Sequence, residues 1–369
     1  MNDKFNTENE DNMEKEKKSK IKKILVNLTI FILLIILTFS LVLKDQDVSQ
    51  IFSVAAKVKK QYILFAVLAM SIYILGEAVN ITRILKELGE KSKLISNIRY
   101  TLIGFFFSAI TPAASGGQPM EIYYMHKDDI SVANSTLALL MQLCSLQIVT
   151  ITVGTISAVI HFEVLKSGLI YLLILGIILN SSALMLLIIA IFSKRLSEGL
   201  IKFVVKLLKF FRIPNVEKKQ EKLEKELESY QTSAKYIKEH KILMLKTVIT
   251  TVVQMIAYYS VPYWIYLAFG LTEYNIFEIL TLQAVLYATV SGIPSPGAVG
   301  VSEGGFLGIF KNVFPETIIS SAMLLTRGAN FYLFIIISAI IVMISTFREK
   351  RIEKKQMQET EVLTEKSEK

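Results

Sequence analysis

Apolar residues in this 369-residue chain gather into runs far longer than one face of a soluble helix, separated by segments dense in charge. Residues 24–43, ILVNLTIFILLIILTFSLVL, form the first run of bilayer length, since about 20 residues at 1.5 Å rise cover the roughly 30 Å hydrocarbon core. Further runs at about 62–82, 133–160, 169–192, 243–269 and 318–346 bring the predicted crossings to six. The first run reads as an anchor rather than a cleaved signal: its apolar part exceeds a signal h-region, a polar leader precedes it, and no A-x-A-like site follows.

Two apolar pieces do not fit this series. Residues 100–110 supply only about 16 Å of helix before Pro112. Residues 279–293 end at the Pro/Gly-rich stretch SGIPSPGAVGVSEGG, residues 291–305. Lysine and arginine decide how to place them, because basic residues collect on the cytoplasmic side. Residues 193–241 carry 13, each tail carries 7 and residues 83–99 carry 5, whereas 161–168, 270–275 and 293–317 carry 2 together. The 44–61 loop, with 4 lysines, is the one segment that goes against the pattern. With both termini inside, the rest of the distribution holds only if neither broken piece crosses. Both therefore read as re-entrant helical hairpins, the first entering from the cytoplasm and the second from outside. Irregular backbone at that depth is tolerated only where protein or a wet cavity surrounds it.

The broken stretches also match each other. Pro112 and Pro294 are each followed nine positions later by a glutamate, P-AASGGQPM-E to Glu121 and P-SPGAVGVS-E to Glu303. Each stretch lies between an incoming and an outgoing span, and the two span–hairpin–span units have opposite predicted orientation. That is the inverted-repeat plan of many transporters, with discontinuous helices meeting near the midplane. The expected fold is an all-α integral membrane protein of about six transmembrane helices plus two re-entrant hairpins. A membrane domain over 24–346 is flanked by charged cytoplasmic tails, 1–23 and 347–369. Within it, 193–241 reads as a cytoplasmic loop. LSEGLIKFVVKLLKFFRI in this loop has the spacing of a basic amphipathic helix on the inner leaflet, and EKKQEKLEKELESY that of a solvated charged one with Glu221 and Lys225 paired.

Composition narrows the chemistry. A hydrophobic content of 52% and a mean hydropathy of +0.48 belong to a membrane protein, and the net charge of +9 is placed to meet anionic lipid rather than nucleic acid. The single cysteine, Cys144, lies in an apolar run and reads as a small buried hydrophobe. His126, His161 and His240 fall in separate segments, without H-E-x-x-H spacing, a nucleophile elbow or a Walker sequence. No metal, cofactor or catalytic residue is therefore expected. The polar residues at membrane depth are the candidates. A carboxylate there costs on the order of 2.5–3.5 kcal/mol on insertion scales, so Glu121 and Glu303 are expected to face protein or water. Each could complement a helix N-terminus. Alternatively, the N–H groups of Ser115, Gly116 and Gly117 and of Gly297 to Gly300 cradle a phosphate while the carboxylates take an amine. Arg327 either serves as counter-charge to Glu303 or a lipid phosphate, or snorkels to the outer interface. Arg83 reads as a positive-inside anchor; Glu77, six residues away, does not share its helix face. Trp264 and Tyr266 suit an interfacial belt or simple packing.

The pair FFFSAITPAASGGQPMEIYYM and SGIPSPGAVGVSEGGFLGIF, set in this hydropathy plan, resembles the lysylphosphatidylglycerol synthase transmembrane family, also called the flippase-like domain family. The resemblance covers about residues 20–346. It implies a multi-pass cell-membrane protein whose membrane domain moves aminoacylated phospholipid, chiefly lysyl-phosphatidylglycerol, from inner to outer leaflet, lowering surface anionic charge against cationic antimicrobial peptides. In two-part members a soluble domain beyond the last span makes that lipid from phosphatidylglycerol and lysyl-tRNA. About 23 residues follow position 346 here, too few for such a fold, so the membrane half alone is expected.

Lipid translocation is the leading reading, with Pro112, Ser115, Gly116, Gly117, Glu121, Pro294, Gly297, Gly300, Glu303 and Arg327 as substrate-binding residues. Lysyl transfer by this chain rests on family association alone. A polyprenyl-phosphate or glycolipid cargo fits the same kind of site. A partner role, beside a separate aminoacyltransferase or in a homo-oligomer, is the remaining alternative.

Overall fold

The structure is a computed structural model that describes residues 53–111, 114–162, 169–193, 216–293 and 295–348, with isolated positions at 29 and between 195 and 206. The predicted span 24–43, except Thr29, lies outside the described residues. So do the tails 1–23 and 349–369, most of the 196–213 stretch, Pro112 and Pro294.

The described residues form an all-helical bundle. Five helices are long and apolar enough to cross a bilayer: α1 (Lys60–Glu87), α4 (Val132–Ile160), α5 (Leu169–Phe192), α7 (Lys241–Ala268) and α10 (Ile319–Arg348). They correspond to the five predicted runs beyond the first. Between them lie α2 (Leu94–Ile110), α3 (Gly117–Lys127), the charged α6 (Val216–Glu239), α8 (Ile276–Val290) and α9 (Val301–Ile309). The packing is that of a protein solvated by lipid. Leu64, Leu68, Ile72 and Leu75 run along the outside of α1, while Asn80, Gln142, Gln254, Glu121 and Glu303 are buried. A continuous apolar exterior around polar contacts is stable only where the surroundings are themselves apolar.

Antiparallel pairing of α1 with α7 is the frame. The Lys59 N–H donates to the Ala268 carbonyl at one end, Tyr73 packs on Tyr258 midway, and Arg83 Nη1 donates to the Lys246 carbonyl at the other. Gly76 sits against Gln254, and any Cβ there would clash with that side chain, so glycine sets how closely the helices approach. Arg83 also bonds Asn80 and Thr250; it ties the two helices together.

Both broken pieces are helical hairpins. Thr111 ends α2 in extended backbone, as the residue before a proline must, and its hydroxyl accepts the Gly116 N–H at 2.9 Å. The chain then turns back: Gly117 lies against Ser108, Glu121 against Gly104, and the Tyr100 hydroxyl bonds Asp128. In the second hairpin, Asn275 caps α8 through the Phe277 and Glu278 N–H groups. The return leg brings Gly305 against Leu286 and the Asn312 carbonyl to the Tyr274 hydroxyl. Since α2 starts beside the Arg83 end of the frame and α8 beside the Ala268 end, the hairpins enter from opposite faces.

The two units interlock. The first hairpin packs on the outgoing helix of the second unit, with Phe105 edge-on to Phe331 and the Tyr124 hydroxyl 3.3 Å from Thr346. The outgoing α4 packs on the second hairpin, with Gly154 against Ala288 and His161 bonded to Thr281. Helix α6 lies across the Arg83-side ends: Tyr230 donates to the Ala190 carbonyl and Ser233 to Asn134 Oδ1. Tyr266 is buried and accepts the Tyr274 N–H, while Trp264 packs tilted against Phe65; both residues pack within the bundle.

Candidate functional site

The hairpin tips meet over two adjoining cavities. One, of about 300 Å³, is lined by Ala114 from the first tip, by Ser291, Gly292, Ile293, Ser295, Gly297 and Ala298 from the second, and by Arg327 and Asn330. The other, of about 420 Å³, lies under the first hairpin and is lined by Glu77, Ser115, Gln118, Glu121, Gln142 and Asn180 among others. Tyr73, Phe105, Ser108, Ala114, Tyr287 and Ser291 belong to both walls. The result is one two-lobed polar space between the inverted units.

The tips carry local strain. Ala114 and Ala298 have φ of 54° and 52°, the left-handed region that disfavours a Cβ. Gly297 (φ 59°) and Gly300 (φ 87°) fill the remaining left-handed positions of the second tip, where only glycine is free of that penalty.

The two glutamates, matched in sequence, have different surroundings. Glu303 is fully buried. Its Oε2 accepts the Gly300 N–H at 2.7 Å, capping α9, and its Oε1 accepts Arg327 Nε–H at 2.8 Å and the Tyr332 hydroxyl at 3.1 Å. It lies behind Arg327 and lines neither cavity. Arg327 faces the smaller lobe, donates Nη2–H to the Gly297 carbonyl at 3.1 Å and stacks over Phe331 at 4.0 Å. It does not snorkel. A π-helical turn, Gly328–Tyr332, follows directly and brings Asn330 into the lobe; such interruptions recur at functional sites. The guanidinium carries five N–H donors in a planar fork, the geometry that suits carboxylate and phosphate oxygens.

Glu121, five residues into α3, caps nothing. It is 3% exposed, its Oε2 has no hydrogen-bond partner among the described residues, and the other carboxylate on the same wall is Glu77. No lysine, arginine or histidine lines this lobe. Orphaned buried atoms line both lobes: Ser295 Oγ and Asn330 Oδ1 in one, Thr101 Oγ1 and Glu121 Oε2 in the other. Buried polar atoms of this kind call for water or a ligand.

Among the residues singled out in the sequence, Ser115, Glu121, Gly297 and Arg327 therefore surround the space. Gly116 and Gly117 serve the turn and the close α2–α3 approach; Gly300 and Glu303 form the cap behind Arg327; Pro112 and Pro294 lie outside the described residues. The expected N–H cradle is largely engaged within the chain. Gly116 donates to Thr111, Ala298 to Ser295, Val299 to Pro296 and Gly300 to Glu303. Sequence reasoning missed Glu77, Tyr73, Tyr287, Gln142 and Asn180 as wall residues. The available signal was their polarity inside apolar runs, since such residues face a bundle interior or a cavity.

A comparison with curated proteins found no match. The family model for the lysylphosphatidylglycerol synthase TM region matches residues 24–338, the family that the two hairpin motifs resemble. The chain belongs to the lysylphosphatidylglycerol synthase transmembrane-region family.

Proposed function

We propose that the protein translocates a phospholipid with a cationic headgroup, such as lysyl-phosphatidylglycerol, between leaflets of the cell membrane, with both termini in the cytoplasm. The observation that carries this reading is the charge division of the two-lobed space. Arg327 offers N–H donors beside the orphaned Ser295 and Asn330, a setting suited to phosphate oxygens. Across the shared wall, Glu77 and Glu121 have no counter-charge among the described lining residues and suit an ammonium group. A zwitterionic headgroup satisfies both lobes at once. The acyl chains would stay in lipid while the headgroup occupies the cavity, and rocking of one unit against the other would expose it to each leaflet in turn.

Purified protein in liposomes should speed the appearance of labelled lysyl-phosphatidylglycerol on the opposite face. Glu121→Gln and Glu77→Gln should slow the lysyl lipid at least about tenfold, the worth of one charge-assisted hydrogen bond, and phosphatidylglycerol much less. Equal slowing of both lipids would remove the carboxylates from headgroup recognition. No acceleration over empty liposomes would refute translocation itself.

A further inference from the structure

Among the described residues, the larger lobe holds two carboxylates and no positive charge. Glu77 on α1 and Glu121 on α3 line it together. The other titratable side chains on its wall are Tyr73 from α1 and Tyr287 from α8; α2, α4 and α5 contribute only neutral hydroxyl, amide and apolar groups. Arg327 next door is engaged by Glu303, and Arg83 turns its Nη1 to Asn80, the Lys246 carbonyl and Thr250. Glu121 Oε2 and Thr101 Oγ1 are both buried, face the lobe and lack partners. Two carboxylates on one wall repel each other, and a proton or a cation held between them relieves that repulsion. The described residues assemble no group of three acidic, histidine or cysteine side chains for a metal ion.

We infer that Glu77 and Glu121 share one proton in the empty cavity and release it when an ammonium headgroup arrives, so that the protein exchanges a proton for cationic cargo. The charge balances. The singly protonated pair carries one negative charge, and the doubly ionised pair with an ammonium carries the same. In the exchange a carboxyl O–H bond breaks, its proton passes to cavity water, and ammonium N–H donors replace it at the oxygens. The lobe thus presents the same net charge in both loaded states, and the bare dianion is avoided. The exchange rests on the translocator reading; the shared proton does not.

Two measurements separate them. Infrared difference spectra of the purified protein, taken across a pH titration without lipid substrate, should show a protonated-carboxyl band that disappears on alkalinisation. Replacing either glutamate by glutamine removes a like charge, so the remaining carboxyl should titrate at lower pH. A band unaffected by both Glu77→Gln and Glu121→Gln, or no such band, overturns the shared proton. Where one variant fails to fold, the other carries the same comparison. In liposomes containing labelled lysyl-phosphatidylglycerol, an imposed gradient of about one pH unit should shift the steady-state leaflet ratio about tenfold for one-for-one exchange. Translocation indifferent to the gradient overturns the exchange and leaves the translocator standing. Absence of translocation removes the translocator and the exchange together, and the infrared result then decides the proton alone.

Discussion

Removing Arg327 while keeping Glu303 isolates the energetics of the second unit. The pair is buried on both sides, 8% and 0% exposed, so solvent screening does not dilute it. Arg327→Met retains aliphatic bulk over Phe331 but strands a carboxylate whose remaining partners are the Gly300 N–H and the Tyr332 hydroxyl. Stranding one member of a buried ion pair costs about 3–5 kcal/mol. Adding Glu303→Gln removes the orphan charge. The amide then has one oxygen for two donors, so a deficit of about 1–2 kcal/mol should remain from the unmade hydrogen bond. The expected ordering is wild type, then the double variant, then either single variant. The assay is unfolding in mixed detergent–SDS micelles followed by circular dichroism, with free energies extrapolated to zero SDS for all four proteins. Arg327→Met within about 1 kcal/mol of wild type, or a double variant as unstable as the two singles summed, would refute the reading of this pair as a mutually compensated buried unit.

Other structural features predict further outcomes. Ala114→Gly and Ala298→Gly relieve left-handed backbone and should each stabilise by up to about 1 kcal/mol in the same assay; destabilisation by both would contradict the strained tips. Gly104→Ala places a Cβ against the Glu121 carboxylate, and lysyl-lipid flux should drop at least about tenfold, the scale of displacing a charge-assisted bond. Unchanged flux would mean the carboxylate position does not matter. Cysteines replacing Phe105 and Phe331, in a Cys144→Ser background, should be joined by a short bifunctional maleimide, since the rings now pack 5.9 Å apart; failure to cross-link would separate the first hairpin from α10. Cysteines at Ser115 and Ala298 line the lobes and should react with a small water-soluble thiol reagent, faster than one at the lipid-facing Ile72.

The fold was legible because its main signals are local. Run length marks the spans, and Thr111-Pro112 and the Pro/Gly cluster at 291–300 mark the turns; charge asymmetry predicts opposed entry of the hairpins, and in the structure α2 and α8 begin at opposite ends of the α1–α7 pair. Function of single residues was less legible. A carboxylate nine positions past a proline looks the same in both units, yet whether it caps a helix depends on where the helix begins. Helix α9 begins two residues before Glu303, within reach of the Gly300 N–H, whereas α3 begins four residues before Glu121, beyond that reach. Glu77 was passed over because only its own helix was considered. Its partner Glu121 is 44 positions away and comes near only through the α2–α3 fold-back. Phosphate cradles were expected from glycine content, but the same left-handed turns that expose N–H groups also bring Ser295, Pro296 and Glu303 close enough to use them.

The break in symmetry between the units is what gives the space a direction. The two glutamates lie 182 positions apart, and the residue 182 before Arg327 is Ser145. At that offset the first unit carries no counterpart of Arg327. A compensated pair such as Glu303–Arg327 holds the same net charge however the units rock, and its hydrogen bonds to Gly300, Gly297 and Tyr332 keep the second tip rigid. An uncompensated carboxylate behaves differently: its stability depends on what occupies the lobe, so a cation entering or leaving changes the free energy of the conformations that enclose it. A ligand shifts a conformational equilibrium only as far as its affinity differs between states, and a buried carboxylate that is dry in one state and wet in another supplies such a difference. On the translocator reading, one unit would provide a fixed anchor for an anionic group and the other a site whose charge is refilled each cycle, a division that two identical halves could not make.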